Sequence, residues 1–240
     1  MKSYNRTISA MQLVIPAMIL CLIGDYCIGI EPANSTTFGG IASSGWLTIA
    51  DWRIAISNLF GMIGSILYAI GAVYFAKFLL EQKEKLEQSV DKVWLNLYIA
   101  SLGLGCVSFM YFHIACGGLI QHFKVLYEVT GGDVQMATDA WMKMLMPELL
   151  PMSFMFIGFD VIASLSWVVI ILRKILPVSK WWVLASPLIT AGIGTLLDLI
   201  PLPFNGLNSG FETFGWMLMF VCGIKHIKSI AKSSKPEALL

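Results

Sequence analysis

Apolar residues in this chain come in long unbroken blocks, without the alternation of half-buried strands or the narrow stripe of a soluble helix. Six blocks, at roughly 8–30, 54–79, 93–120, 150–173, 181–201 and 208–226, are long enough to cross a bilayer, which takes about 20 helical residues. A soluble helical protein would need a polar outer face on each helix, and these blocks have none. The pattern predicts an all-α polytopic transmembrane bundle of six helices. A single domain over residues 1–226 would be followed by a basic cytoplasmic tail over 227–240. No internal repeat of useful strength divides it.

The first block follows Lys2 and Arg6, as in a signal peptide, but it is too long for that and no small-residue cleavage site follows. It is expected to stay in the protein as a span. The first outer loop is rich in Ser, Thr and Gly and ends in Trp46, Trp52 and Arg53, residues suited to an interfacial belt. The stretch EQKEKLEQSVDK reads as a solvated extension of the second span. In the second outer loop, roughly 121–149, Val134, Ala137, Trp141, Met144 and Leu145 recur at helical spacing after Gly131-Gly132-Asp133. That spacing predicts one amphipathic surface helix, with Asp133 as its cap. The third outer connection, around PLPFNGL, is so short that spans five and six should form a tight hairpin.

Composition agrees. The chain of 240 residues is 57% hydrophobic and 13% charged, with a mean hydropathy of +0.76; soluble domains carry about 25% charge. Of 16 basic residues, 13 fall on one side if the N-terminus is cytoplasmic: Lys2, Arg6, Lys77, Lys83, Lys85, Lys92, Arg173, Lys174, Lys180, Lys225, Lys228, Lys232 and Lys235. That asymmetry predicts both termini in the cytoplasm. The net charge of +1 singles out no partner; membrane lipids are expected around the protein and nucleic acid is not. The five cysteines form no CxxC pair and read as small core residues, with Cys27 and Cys116 the one pair placed to meet.

The chemistry lies in the polar groups within the blocks. A charged side chain at membrane depth costs roughly 2.5–3.5 kcal/mol, so each needs a partner or a wet cavity. They gather toward the outer half: Asp25 on span one, Asn58 on span two, His113 on span three, Glu148 and Asp160 on span four, Asp198 on span five, and Asn205, Asn208 and Glu212 at the start of span six. Residues four apart share a helix face. Ala17, Cys21, Asp25 and Gly29 form one such row, Ser57, Gly61, Ser65 and Ala69 another, and Ser101, Gly105, His113 and Gly117 a third, interrupted by the bulky Phe109. Ser186, Thr190, Gly194 and Asp198 form a fourth. Small residues mark helix contacts in membranes, which turns Asp25, His113 and Asp198 inward. Asp198 and Glu212, at facing ends of two spans, are expected to be close neighbours. The plainer alternative is that both cap helix ends.

These residues predict an outward-facing pocket built from Asp25, His113, Asp160, Asp198, Asn208, Glu212 and Trp216, with Phe112 and Tyr26 as further aromatic walls. No metal or cofactor is expected: His113 and His122 stand on opposite helix faces, His226 lies at the other end, no mid-span lysine offers a Schiff base, and no phosphate loop or nucleophile elbow occurs. The pocket would bind a small amphipathic or cationic molecule. Two other readings stay open: an intramembrane enzyme using His113 and Asp160 for acid–base work or hydrolysis on a lipid, and a transporter or partner protein in which the polar groups glue helices together. The inner half offers no matching polar path, which a homo-oligomer would have to supply.

The motifs GDY (24–26), NLFGMIGSILYAIG (58–71), LPVSKWW (176–182), SPL (186–188) and IPLPFNGLNSGFETFGW (200–216) resemble those of an uncharacterised family of bacterial six-span integral membrane proteins. The resemblance covers most of the chain. It implies a multi-pass protein of the bacterial cytoplasmic membrane, and it carries no activity and no assigned residues. Small sterol-isomerase and sigma-2-receptor-like bundles offer a chemical analogy only, because their span count and motif order differ.

Overall fold

The computed structural model describes residues 2–38 and 42–233. Eight α-helices follow one another among these residues: α1 (Lys2–Gln12), α2 (Val14–Gly29), α3 (Asp51–Lys83), α4 (Ser89–Val129), α5 (Val134–Phe156), α6 (Ile162–Leu172), α7 (Pro187–Leu197) and α8 (Phe211–Ser233). Two-residue strands add β1 (Glu31–Pro32), β2 (Thr37–Phe38), β3 (Ala42–Ser43) and β4 (Phe204–Asn205). Five helices are long and apolar enough to cross a membrane: Tyr4–Gly29, Asp51–Lys83, Ser89–Val129, Val134–Leu172 and Leu207–Ser233. The chain is an all-α, multi-pass membrane protein.

The structure departs from the expected blocks at three places, each for a local reason. The first span is kinked between α1 and α2, because Pro16 has no N–H to give the carbonyl of Gln12 and its ring crowds that carbonyl. The second outer loop largely disappears. Helix α4 runs 41 residues, about 60 Å at 1.5 Å per residue, roughly twice the hydrocarbon thickness. After a short turn through Gly131 and Gly132, both at positive φ, α5 starts at Asp133, whose side chain accepts the N–H of Met136 at 3.0 Å. The cap is as expected, but the amphipathic helix is not a separate surface element. It continues through a π-turn (Ile157–Val161) into α6. Its apolar face, Ala137, Trp141 and Leu145, packs on Phe123 of α4 and on Trp46, which therefore belongs to this cluster and not to a belt. Trp52 is exposed.

The fifth block yields only 11 residues of helix. Pro187 starts α7, and the segment from Asp198 through Pro201 and Pro203 ends it. A 3-10 turn, Lys180–Ala185, precedes it, tied down where Trp167 Nε1 donates to the carbonyl of Trp182 at 2.7 Å.

The small-residue rows are helix contacts. A Cβ on Gly61 would run into His113, one on Gly105 into Phe159 and Tyr68, one on Gly117 into Asn58, and one on Gly194 into Phe211. Centred on Tyr68, the core is aromatic, with Phe109, Phe159, Trp216 and Phe220 each edge-on within 6.5 Å. All five cysteines are free, Cys27 and Cys116 included.

Candidate functional site

Above that aromatic core, toward the end where α2 stops and α8 begins, lies a cavity of about 70 Å³. It is lined by Asp25, His113, Asp160, Glu212 and Trp216, with Thr213, Ser209, Phe109, Phe112 and Phe159 completing it. Five of the seven residues expected to build the pocket therefore converge, from α2, α4, the π-turn and α8, and Phe112 joins them as one of the two expected aromatic walls.

Each is placed by an identifiable feature. His113 is 3% exposed and lies where α2 and α3 leave room. A Cβ on Gly24 would stand 2.8 Å from its Cε1, and one on Gly61 2.5 Å from its Cβ. Its Nδ1 shares a 2.9 Å hydrogen bond with Ser57 Oγ, and its Nε2 faces Asp25 Oδ1 at 3.6 Å. That second distance is an ion-pair approach and too long for a good hydrogen bond. The other oxygen of Asp25 accepts the hydroxyl of Thr213 at 2.7 Å. Asp160 is held by Trp216, whose Nε1 donates to Oδ1 at 2.8 Å. The indole lies flat on Phe159 with centroids 4.3 Å apart and planes within 7°. The π-turn sets this geometry, and its freed backbone is satisfied from α4, where Ser101 Oγ donates to the carbonyl of Gly158 at 2.8 Å. Glu212 neighbours Asp160 in the cavity, close enough for the two carboxyls to share a proton, and among the described residues no N–H donor reaches its buried Oε1.

Asp198 and Asn208 stand elsewhere. Asp198 Oδ1 accepts the N–H of Leu207 at 2.8 Å, while Tyr26 donates its hydroxyl to the Leu207 carbonyl at 3.1 Å. Asp198 fixes the turn over the cavity without lining it, so the expected pairing of Asp198 with Glu212 is replaced by one of Asp160 with Glu212. Asn208 sits in the 3-10 turn Leu207–Gly210 that covers the cavity and is not part of its wall. Sequence reasoning passed over Thr213 and Ser209. Thr213 is an ordinary helical threonine until Asp25 is seen opposite it; its one signal in the sequence is the face it shares with Trp216, three residues on.

Three carboxyls and one imidazole meet with no lysine or arginine in the wall. Ser57, His113 and Asp25 have the composition of a hydrolase triad, but Ser57 is fully buried and outside the cavity, so its hydroxyl orients the ring and meets no substrate. Among the described residues no three His, Cys, Asp or Glu side chains converge on a metal position. The volume is also restrictive. Sites for drug-sized molecules run to about 300–1,000 Å³, so this cavity holds a few waters or a group of a few heavy atoms, not the body of an amphiphile.

Over residues 1–230 the chain matches the model of DUF6796, a family of unknown function. It belongs to that family. No curated protein matches the chain, and no solved structure does.

Proposed function

We propose that this DUF6796 protein binds a small cationic group, such as ammonium or the head of a primary amine, in the Asp25–Asp160–Glu212 cavity. The observation that carries this reading is a cavity walled by three carboxyls with no lysine or arginine, in which the buried Oε1 of Glu212 meets no N–H donor and Glu212 has only the neighbouring Asp160 carboxyl to pair with. Negative charge at membrane depth is expensive, and a cation with N–H donors supplies both compensating charge and donors to the carboxyl oxygens. The amphipathic ligand expected from sequence is thereby narrowed to its head.

The same reading places the protein in a bacterial cytoplasmic membrane with six crossings and both termini inside. The 3-10 turn plus α7 add up to roughly 28 Å at 2.0 and 1.5 Å per residue, close to the hydrocarbon core. Trp182 lies level with Lys225, and Asp198 with Leu207, at opposite ends of α8. The cavity then opens outward, and the aromatic core beneath it separates it from the cytoplasmic half, which disfavours a through-path for transport.

Calorimetric titration of the purified protein with ammonium, methylammonium and choline tests this. Saturable binding of the first two, lost in Glu212→Gln at unchanged melting temperature, is the expected result. Equal heats for the parent and Glu212→Gln would overturn it.

A further inference from the structure

At the opposite, lysine-rich end, a second cavity of about 510 Å³ opens between α1 and α3. The kink before α2 leaves α1 leaning on α3 and α8, so that Tyr4, Arg6 and Thr7 face Val73, Tyr74 and Lys77 across a notch. Phe78 is buried against the core and forms part of the apolar wall. Arg6 and Lys77 come from different helices and converge on this notch. Among the described residues neither has a carboxylate within ion-pair distance, although Glu81 lines the same notch. Arg6 and Lys77 both lie on the basic side, where Lys83, Lys85, Lys92, Arg173 and Lys174 add to the positive field.

We infer that this notch is a binding site for the phosphate of an anionic phospholipid in the adjoining leaflet. Arg6 presents a planar fork that matches two phosphate oxygens, and Lys77 adds a point charge from the facing helix. Tyr4 and Tyr74 offer hydroxyls at the polar edge, while Val73 and Phe78 meet the start of an acyl chain. Basic pockets between helices on the cytoplasmic side suit such headgroups, with each cation contributing on the order of 1 kcal/mol of attraction. A zwitterionic lipid brings its own ammonium to the two cations and gains less.

Native mass spectrometry of the full chain from mixed micelles containing phosphatidylglycerol and phosphatidylcholine tests the site. The expected result is one retained phosphatidylglycerol, held roughly 10- to 30-fold more weakly by Arg6→Gln/Lys77→Gln. Arg6→Lys, which keeps the charge but loses the fork, should hold the lipid more weakly than the parent and more tightly than the double variant; because Arg6 and Lys77 are exposed, both variants should melt with the parent. Equal retention of the two lipids, or no loss in the double variant, would overturn the inference. Full displacement by millimolar inorganic phosphate would also overturn it, by showing a site for a soluble anion and not for a lipid.

Discussion

His113 occupies space that exists because residue 61 is glycine: a Cβ there would lie 2.5 Å from the Cβ of the histidine. Gly24 gives the ring the same clearance from α2. Gly61→Ala should therefore destabilise the protein by about 1–3 kcal/mol, the usual cost of overpacking, while Gly103→Ala should cost nothing. Nothing lies within 4 Å of a Cβ at position 103, and alanine is the better helix former by up to about 1 kcal/mol. Thermal unfolding of the two variants in one detergent checks the contrast.

Trp216 and Asp160 form a buried pair in which only the indole donates. Trp216→Phe keeps much of the stack on Phe159 but leaves Oδ1 without its donor, at a cost of about 1–3 kcal/mol. Asp160→Asn keeps an acceptor for the same N–H and should lose less. Melting curves in which Asp160→Asn is the more damaging of the two would contradict this assignment of the bond.

Much of the site could be read in advance because membrane burial of charge is expensive. Asp25, His113, Asp160 and Glu212 stood out as polar groups in apolar blocks, and the small-residue rows turned the first two inward. Sequence could not show which carboxyls pair. Asp160 reaches Glu212 only because a π-turn inserts one residue at 157–161, and Asp198 is drawn away by the N–H of Leu207. The extension expected over 81–92 is cut short, since α3 ends at Lys83 and Ser89 already belongs to α4, and the reading of 121–149 was misleading because an amphipathic face looked like a surface helix. Its partner, the extension of α4 through Phe123, is itself too polar to count as a span.

Asp198 and Glu212, similar in sequence context, should separate by experiment. Asp198→Ala removes a side chain-to-backbone bond and should cost about 1 kcal/mol, as loss of a helix cap does, while Asp198→Asn keeps the acceptor and should cost less. Neither should alter amine binding. Glu212→Gln should do the reverse, removing binding at little cost in stability. Loss of binding in Asp198→Asn would return Asp198 to the pocket.

A hydrolase built on Ser57, a residue the acid–base reading of His113 and Asp160 does not use, makes a demand of its own. If Ser57, His113 and Asp25 worked as a nucleophilic triad, a fluorophosphonate probe would label Ser57, and Ser57→Ala would abolish labelling. With Ser57 fully buried and its hydroxyl bound to Nδ1 of His113, no adduct is expected in the folded protein. Ser57→Ala should instead leave one ring nitrogen unpaired and lower stability by about 1 kcal/mol. Peptide mass mapping after probe treatment decides the point, because an adduct at Ser57 requires α2 and α3 to part and would make the cavity the mouth of an active site.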